Sequence, residues 1–146
     1  VKLYLAGPLF TFGDIEQNLQ LAEELREFGY ECFLPQEQET NVRPVSAEAI
    51  FNTDVAGVDW CDVIVACMDG PDPDSGTCWE LGYGHAKGKP SVLYRTDFRS
   101  ACGDFDGTPF NLMMAVPAKS YVQYRGKRMR ELAVLLHDAL RRLAPC

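Results

Sequence analysis

Two carboxylates six positions apart, Asp74 and Glu80, are the residues of this chain best placed to do chemistry. They bracket Ser75-Gly76-Thr77-Cys78-Trp79, where a strand hands over to a helix. Asp74 lies in a tight polar loop, and Glu80 lies near the start of the helix. Two carboxylates at the carboxyl end of a parallel strand can divide nucleophilic and acid/base work on a glycosidic bond. Thr77 and Glu80 also fit a capping box, in which the glutamate reaches back to the Thr77 amide. Both readings of Glu80 stand at this point.

Other chemistries fit the same stretch poorly. Asp69 and Glu80 have the spacing of the first and last ligands of a calcium loop. Pro71 and Pro73 occupy two of its ligand positions, however, and Asp74 stands where the glycine belongs. No Gly-x-x-x-x-Gly-Lys-Ser/Thr phosphate loop and no Gly-x-Ser-x-Gly elbow is present. The two histidines, His85 and His137, are not spaced with cysteines as zinc requires. The six cysteines form no Cys-x-x-Cys pair and read as reduced thiols of a cytosolic protein. No metal or organic cofactor is expected.

The formal net charge of −7 argues against a nucleic-acid polymer as partner, because backbone phosphates call for clustered Lys and Arg. The main basic cluster, Arg125 to Arg130, opens the last helix and reads as a solvated face. A small neutral ligand suits the acidic balance. No apolar run approaches the roughly 20 residues of a membrane span. The segment Val1 to Gly7 reads as a strand entering a turn rather than as a signal peptide. A cytoplasmic protein is expected.

The elements that must position the carboxylates follow from periodicity. Strands are expected at Leu3–Ala6, Tyr30–Leu34, Asp62–Met68, Ser91–Tyr94 and Ser120–Gln123. The run at Asp62–Met68 is the strongest, continuously apolar as in a strand covered on both faces. Helices are expected at Asp14–Phe28, opened by Asp14 with Gln17, then at Ser46–Val58, Thr77–Lys87 and Lys127–Leu143. Gln36–Pro44 reads as a polar loop and Arg95–Lys119 as irregular. Interior Gly82 and Gly84 suggest close approach of a backbone or ligand to the Thr77 helix. Strands alternating with helices imply right-handed βαβ units, hence an α/β fold. The expected architecture is one three-layer domain over residues 1–146, with a central parallel sheet of the flavodoxin-like, Rossmann-like kind. Ligands of such sheets bind beyond the carboxyl ends of the strands.

Taken in order, several stretches resemble the nucleoside 2-deoxyribosyltransferase family. They are Lys2-Leu3-Tyr4-Leu5-Ala6-Gly7-Pro8-Leu9-Phe10, Phe33-Leu34-Pro35-Gln36, Asn52-Thr53-Asp54, Asp74-Ser75-Gly76-Thr77, Glu80-Leu81-Gly82-Tyr83 and Pro109-Phe110-Asn111-Leu112-Met113. The resemblance implies that Glu80 is the nucleophile and that Tyr4, at the end of the first strand, orients it. It sets Asp54 and Asp74 near the nucleobase and sugar, for base protonation and positioning. Gln36 matches a base-contacting glutamine, with Gln38 as the competing alignment. Asn111 and Met113 fall on a segment that reaches into a neighbouring subunit's site, so a homo-oligomer with shared active sites is implied. Gly7 counts among the substrate-binding positions. Some members complete the site with a C-terminal tyrosine carboxylate, where this sequence has Pro145-Cys146.

The implied reaction is transfer of 2-deoxyribose between nucleobases, with deoxynucleosides and free bases as the small-molecule partners. A covalent deoxyribosyl-glutamate would form and be resolved with net retention. The alternative is an N-glycosidase that hydrolyses deoxynucleosides or their 5′-monophosphates. The apolar first loop, Gly7 to Phe12, favours an unphosphorylated 5′-hydroxyl, whereas Arg95 and Arg99 could serve a phosphate. A non-catalytic nucleotide sensor is the third possibility, and it predicts a Glu80 turned back on its own helix.

Overall fold

A computed structural model describes residues 1–43, 46–99 and 107–143. Five strands form one all-parallel sheet: β1 (Lys2–Ala6), β2 (Glu31–Phe33), β3 (Val63–Cys67), β4 (Ser91–Arg95) and β5 (Ser120–Gln123). Their order is β2-β1-β3-β4-β5, the flavodoxin-like order. The order reverses beside β1 and β3, so the ligand crevice of this topology lies beyond their carboxyl ends.

Alternation along the strands sorts the core into two clusters. Leu3, Leu5, Val63, Val65, Val92 and Tyr94 face α1 (Phe12–Glu27) and α6 (Met129–Arg141). Tyr4, Ala6, Ile64, Ala66 and Leu93 face α3 (Ala47–Trp60) and α4 (Ser75–Ala86). These are the three expected layers. β3 is buried at all five of its residues, as its continuous apolar run requires.

Local structure departs from the sequence expectation in several places. The first helix is capped by Thr11, not Asp14; Asp14 is the reciprocal partner three residues on. A hydroxyl ahead of the helix answers the free amides better than a side chain already inside it. The segment after β2 is not a plain loop: it holds a 3₁₀ turn at Pro35–Glu37 and a short helix, α2 (Glu39–Val42). Asn41 and Gln38 fasten it by donating to the Pro35 and Leu34 carbonyls. The expected irregular stretch begins one residue late, because Arg95 belongs to β4, and it contains α5 (Leu112–Ala115). The last helix starts at Met129, with Arg128 in the cap position. Gly103, Cys102, Pro145 and Cys146 lie outside the described residues. Cys32, Cys61, Cys67 and Cys78 are free thiols.

Glycines set how closely α3 and α4 approach the sheet. A Cβ on Gly84 would sit 2.2 Å from Ile64 Cδ1, so that glycine marks close helix–sheet packing. Gly82 meets nothing within 4 Å and marks no such approach. Gly57 lies tight against a ring: a Cβ there would fall 2.6–2.8 Å from three atoms of Phe33. Phe33 cannot easily yield, since it stacks on Tyr4 at 5.3 Å and packs against Trp60 at 6.3 Å. Gly57→Ala is therefore expected to destabilise the chain by about 1–3 kcal/mol in urea unfolding. Without that overlap it would gain about 1 kcal/mol of helix propensity.

Candidate active site

The loop after β3 delivers α4, and Asp74 determines where that helix begins. Asp74 Oδ2 accepts from the Thr77 amide at 2.8 Å and from the Thr77 hydroxyl at 3.1 Å. The helix therefore starts at Ser75 and the cap is an aspartate. This overturns the capping-box reading of Thr77 and Glu80. With the Thr77 amide already answered by Asp74, Glu80 is not needed to reach back to it and lies more than a turn inside the helix.

Glu80 instead crosses to the sheet. Its Oε1 accepts a 2.6 Å hydrogen bond from Tyr4 Oη. Tyr4 sits in the middle of β1, not at its end, and is fully buried. Parallel pairing registers it with Phe33 on one side and Ile64 on the other. Strand register and ring stacking thus fix the phenol that fixes the glutamate.

Asp54 reaches the same place from α3. It shares with Glu80 a cavity of about 250 Å³ lined by Phe51, Asp54, Val55, Gly76, Trp79 and Glu80. Positions 51, 54 and 55 share one face of α3, and 76, 79 and 80 share one face of α4. Asn41 Nδ2 donates to Asp54 Oδ1 at 3.3 Å and to the Pro35 carbonyl at 2.9 Å, so α2 steadies the carboxyl. Asn41, Phe51, Val55 and Trp79 were not singled out from sequence. The signal was present: each is a helical neighbour of Asp54 or Glu80, apart from Asn41, whose helix was read as loop.

Electrostatics favour protons here. Burial is the main cause that lifts Glu80 to about 7, and the charges of Asp54 and Asp74 add to it; the Tyr4 hydrogen bond opposes it by favouring the carboxylate. Burial also raises Asp54, against the opposing Asn41 hydrogen bond. Tyr4 is raised by burial and by Glu80, so it remains a hydrogen-bond donor. Two carboxyls that resist joint ionisation suit one nucleophile and one acid.

The remaining sequence candidates sit elsewhere. Gly7 follows β1, and a Cβ there would lie 3.2 Å from Asn18 Oδ1 and 3.3 Å from Cys67 Cβ. Gln36 Nε2 donates to the Ile15 carbonyl and its Oε1 is buried without a partner, while Gln38 is spent on Leu34. Asn111 caps α5 by accepting from the Met113 amide at 2.9 Å. Asn111 and Met113 line a different cavity, of about 400 Å³, with Cys78, Leu81, Gly82 and His85. Those α4 positions lie on the face of the helix opposite Glu80. Within one chain, Asn111 and Met113 therefore do not join the Glu80 cavity.

The two arginines are also committed. Arg95 is fully buried and donates to the carbonyls of Met68, Gly70 and Pro109 at 2.6–3.0 Å. Arg99 pairs with Asp97 at 2.8 Å. Arg95 thereby ties the loop after β3 to the segment that leads to Asn111. Among the described residues, no cluster of three or more His, Cys, Asp or Glu could hold a metal ion. No helix of the described residues is long and apolar enough to cross a membrane.

Residues 3–113 match the sequence profile of the nucleoside 2-deoxyribosyltransferase family. The chain belongs to that family. A 2-deoxyribosyltransferase of Bacillus psychrosaccharolyticus is similar in structure at a TM-score of 0.70 and 28% identity, over 91% of this chain and 90% of that one. A CMP N-glycosidase of Clostridium botulinum superposes at a TM-score of 0.61 with 18% identity, over 94% of this chain and 99% of that one, a likeness of fold alone. An uncharacterized protein of Schizosaccharomyces pombe is 34% identical over 107 residues, 66% of this chain. The chain spans about half the length of that relative, 51%. The matched range of the deoxyribosyltransferase family takes in Tyr4, Asp54, Asp74, Glu80, Asn111 and Met113.

Proposed function

We propose that this protein transfers a 2-deoxyribosyl group between nucleobases by double displacement on Glu80. The observation that carries this reading is the 2.6 Å bond from Tyr4 to a Glu80 that caps nothing and shares a cavity with Asp54. The Glu80 carboxylate attacks C1′ of a deoxynucleoside. The C1′–N bond breaks, its electron pair leaves on the base nitrogen, and a protonated aspartate supplies the proton. The product is a free base and a glycosyl ester of Glu80. A ring nitrogen of a second base then attacks C1′, the ester C–O bond breaks, and the aspartate takes back the proton. Two inversions give net retention.

Asp54 is the better acid of the two, since burial raises its pKa and so favours its protonated form, while Asp74 is occupied with the helix start. Asn111 and Met113 complete a neighbour's site in a homo-oligomer. Their position on the far side of α4 and the 74% exposure of Met113 support that placement. The 5′-monophosphate hydrolase is the weaker reading, because Arg95 and Arg99 already have internal partners.

Intact-protein mass spectrometry after incubation with a 2′-deoxynucleoside tests the proposal. A deoxyribosyl adduct mapped to Glu80 is expected, cleared by adding acceptor base with formation of a new deoxynucleoside. Free deoxyribose as the main product under saturating acceptor base would make the protein a hydrolase.

A further inference from the structure

Two of the six residues lining the Glu80 cavity, Phe51 and Trp79, are large aromatic rings left partly in water. Trp79 is 48% exposed and Phe51 51% exposed, with ring centroids 5.2 Å apart in an edge-to-face pair. Leaving two large rings in water forgoes apolar burial the chain could have used. Yet Trp79 is not loosely held. Tyr83, one turn on, backs it in a parallel stack at 5.3 Å with 9° between the planes. Tyr83 is itself anchored, its hydroxyl donating to Asp59 at 3.1–3.2 Å and Lys87 lying 5.1 Å over its ring. The indole is therefore oriented in advance, beside the carboxyl that attacks the sugar.

Resting on the function proposed above, we infer that Trp79 and Phe51 form the stacking wall for the nucleobase, and that this wall supplies affinity without choosing among bases. Every base offers a π-face, so stacking tolerates base identity. Hydrogen-bond readout of the base edge is left to Asp54, the polar side chain that shares the wall's cavity with Glu80. Exchange of bases demands this division: one pocket must accept both the leaving and the arriving base. Loss of the indole removes binding made alike in ground and transition states, which raises KM and spares kcat.

The chain has two tryptophans, so Trp60→Phe leaves Trp79 as the only indole reporter. Trp60 lines a separate cavity with Phe33, Asn52, Thr53 and Ala56. In Trp60→Phe combined with Glu80→Ala, titration with 2′-deoxyadenosine and with 2′-deoxycytidine should each quench Trp79 emission saturably. In an active background, Trp79→Ala should raise KM about tenfold for both nucleosides with kcat nearly unchanged, and Trp79→Phe should restore most of the affinity. An unchanged KM in Trp79→Ala, or Trp79 emission blind to both nucleosides, overturns the inference while a Glu80 adduct still upholds the transferase reading. Emission that shifts with protein concentration and ignores nucleoside would instead give this face to a second copy. Absence of the adduct defeats the transferase reading itself.

Discussion

Glu80→Gln is expected to lower base exchange by roughly 10⁴-fold or more, to abolish the covalent adduct, and to make the folded chain more stable at alkaline pH. The amide keeps an oxygen for the Tyr4 hydroxyl but cannot attack C1′. The stability gain follows from the sign of the pKa displacement. Glu80 is raised from 4.5 to about 7 in the folded chain, chiefly by burial. Below pH 4.5 the group is protonated in both states and contributes no difference. As pH rises toward 7 the unfolded chain ionises it freely while the folded chain resists, so stability falls. Above 7 the penalty is complete, on the order of 3 kcal/mol. Urea unfolding of Glu80→Gln against the parent should therefore show a gain of that order at pH 8 and almost none at pH 4. Retained exchange would remove Glu80 as nucleophile. An equal gain at both pH values would mean that the carboxyl is not strained by burial.

Tyr4→Phe is expected to lower kcat by about 100-fold at pH 7, through two separable effects. The first is orientation, since a misplaced reacting group costs about that factor. The second is ionisation. The Tyr4 hydrogen bond is what holds the Glu80 pKa down against burial. Without it the pKa climbs above 7, and the acid limb of kcat/KM moves to higher pH. Raising the pH to 9 should recover the ionisation part and leave the orientation part. The phenyl ring still stacks on Phe33, so stability should change by only about 1 kcal/mol. A limb that stays near 7 would show that the hydroxyl does not act through the carboxylate.

What separates the two carboxylate readings is where the helix begins: its cap is Asp74, three residues ahead of Thr77. Thr77 and Glu80 have capping-box spacing, and nothing in the local pattern disfavours it. Asp74 won the cap because its carboxylate can answer the Thr77 amide from outside the helix, with the acidic end at the positive pole of the dipole. The polar segment after Pro35 differs from its expected loop for the opposite reason. Gln36, Gln38 and Asn41 look like loop residues, yet their side-chain amides bond backbone carbonyls and hold two short turns that steady Asp54. Side-chain-to-backbone bonds of that kind carry no periodic signal.

By itself the sequence determined the parallel α/β sheet, because five short apolar runs separated by helical patterns admit few other topologies. It also carried the family motifs, including Tyr4, Asp74 and Glu80 in order. Only the tertiary structure decided where Glu80 points. Tyr4 is 76 positions away, and strand register brings its hydroxyl to 2.6 Å. The structure likewise put Asp54 in the Glu80 cavity and Asn111 and Met113 on the far side of α4. It turned Arg95 from a phosphate candidate into an internal tie. The physical reason is shared by all four. Motif spacing specifies which residues are present, but the face each one presents depends on helix phase and strand pairing, which are settled by long-range burial.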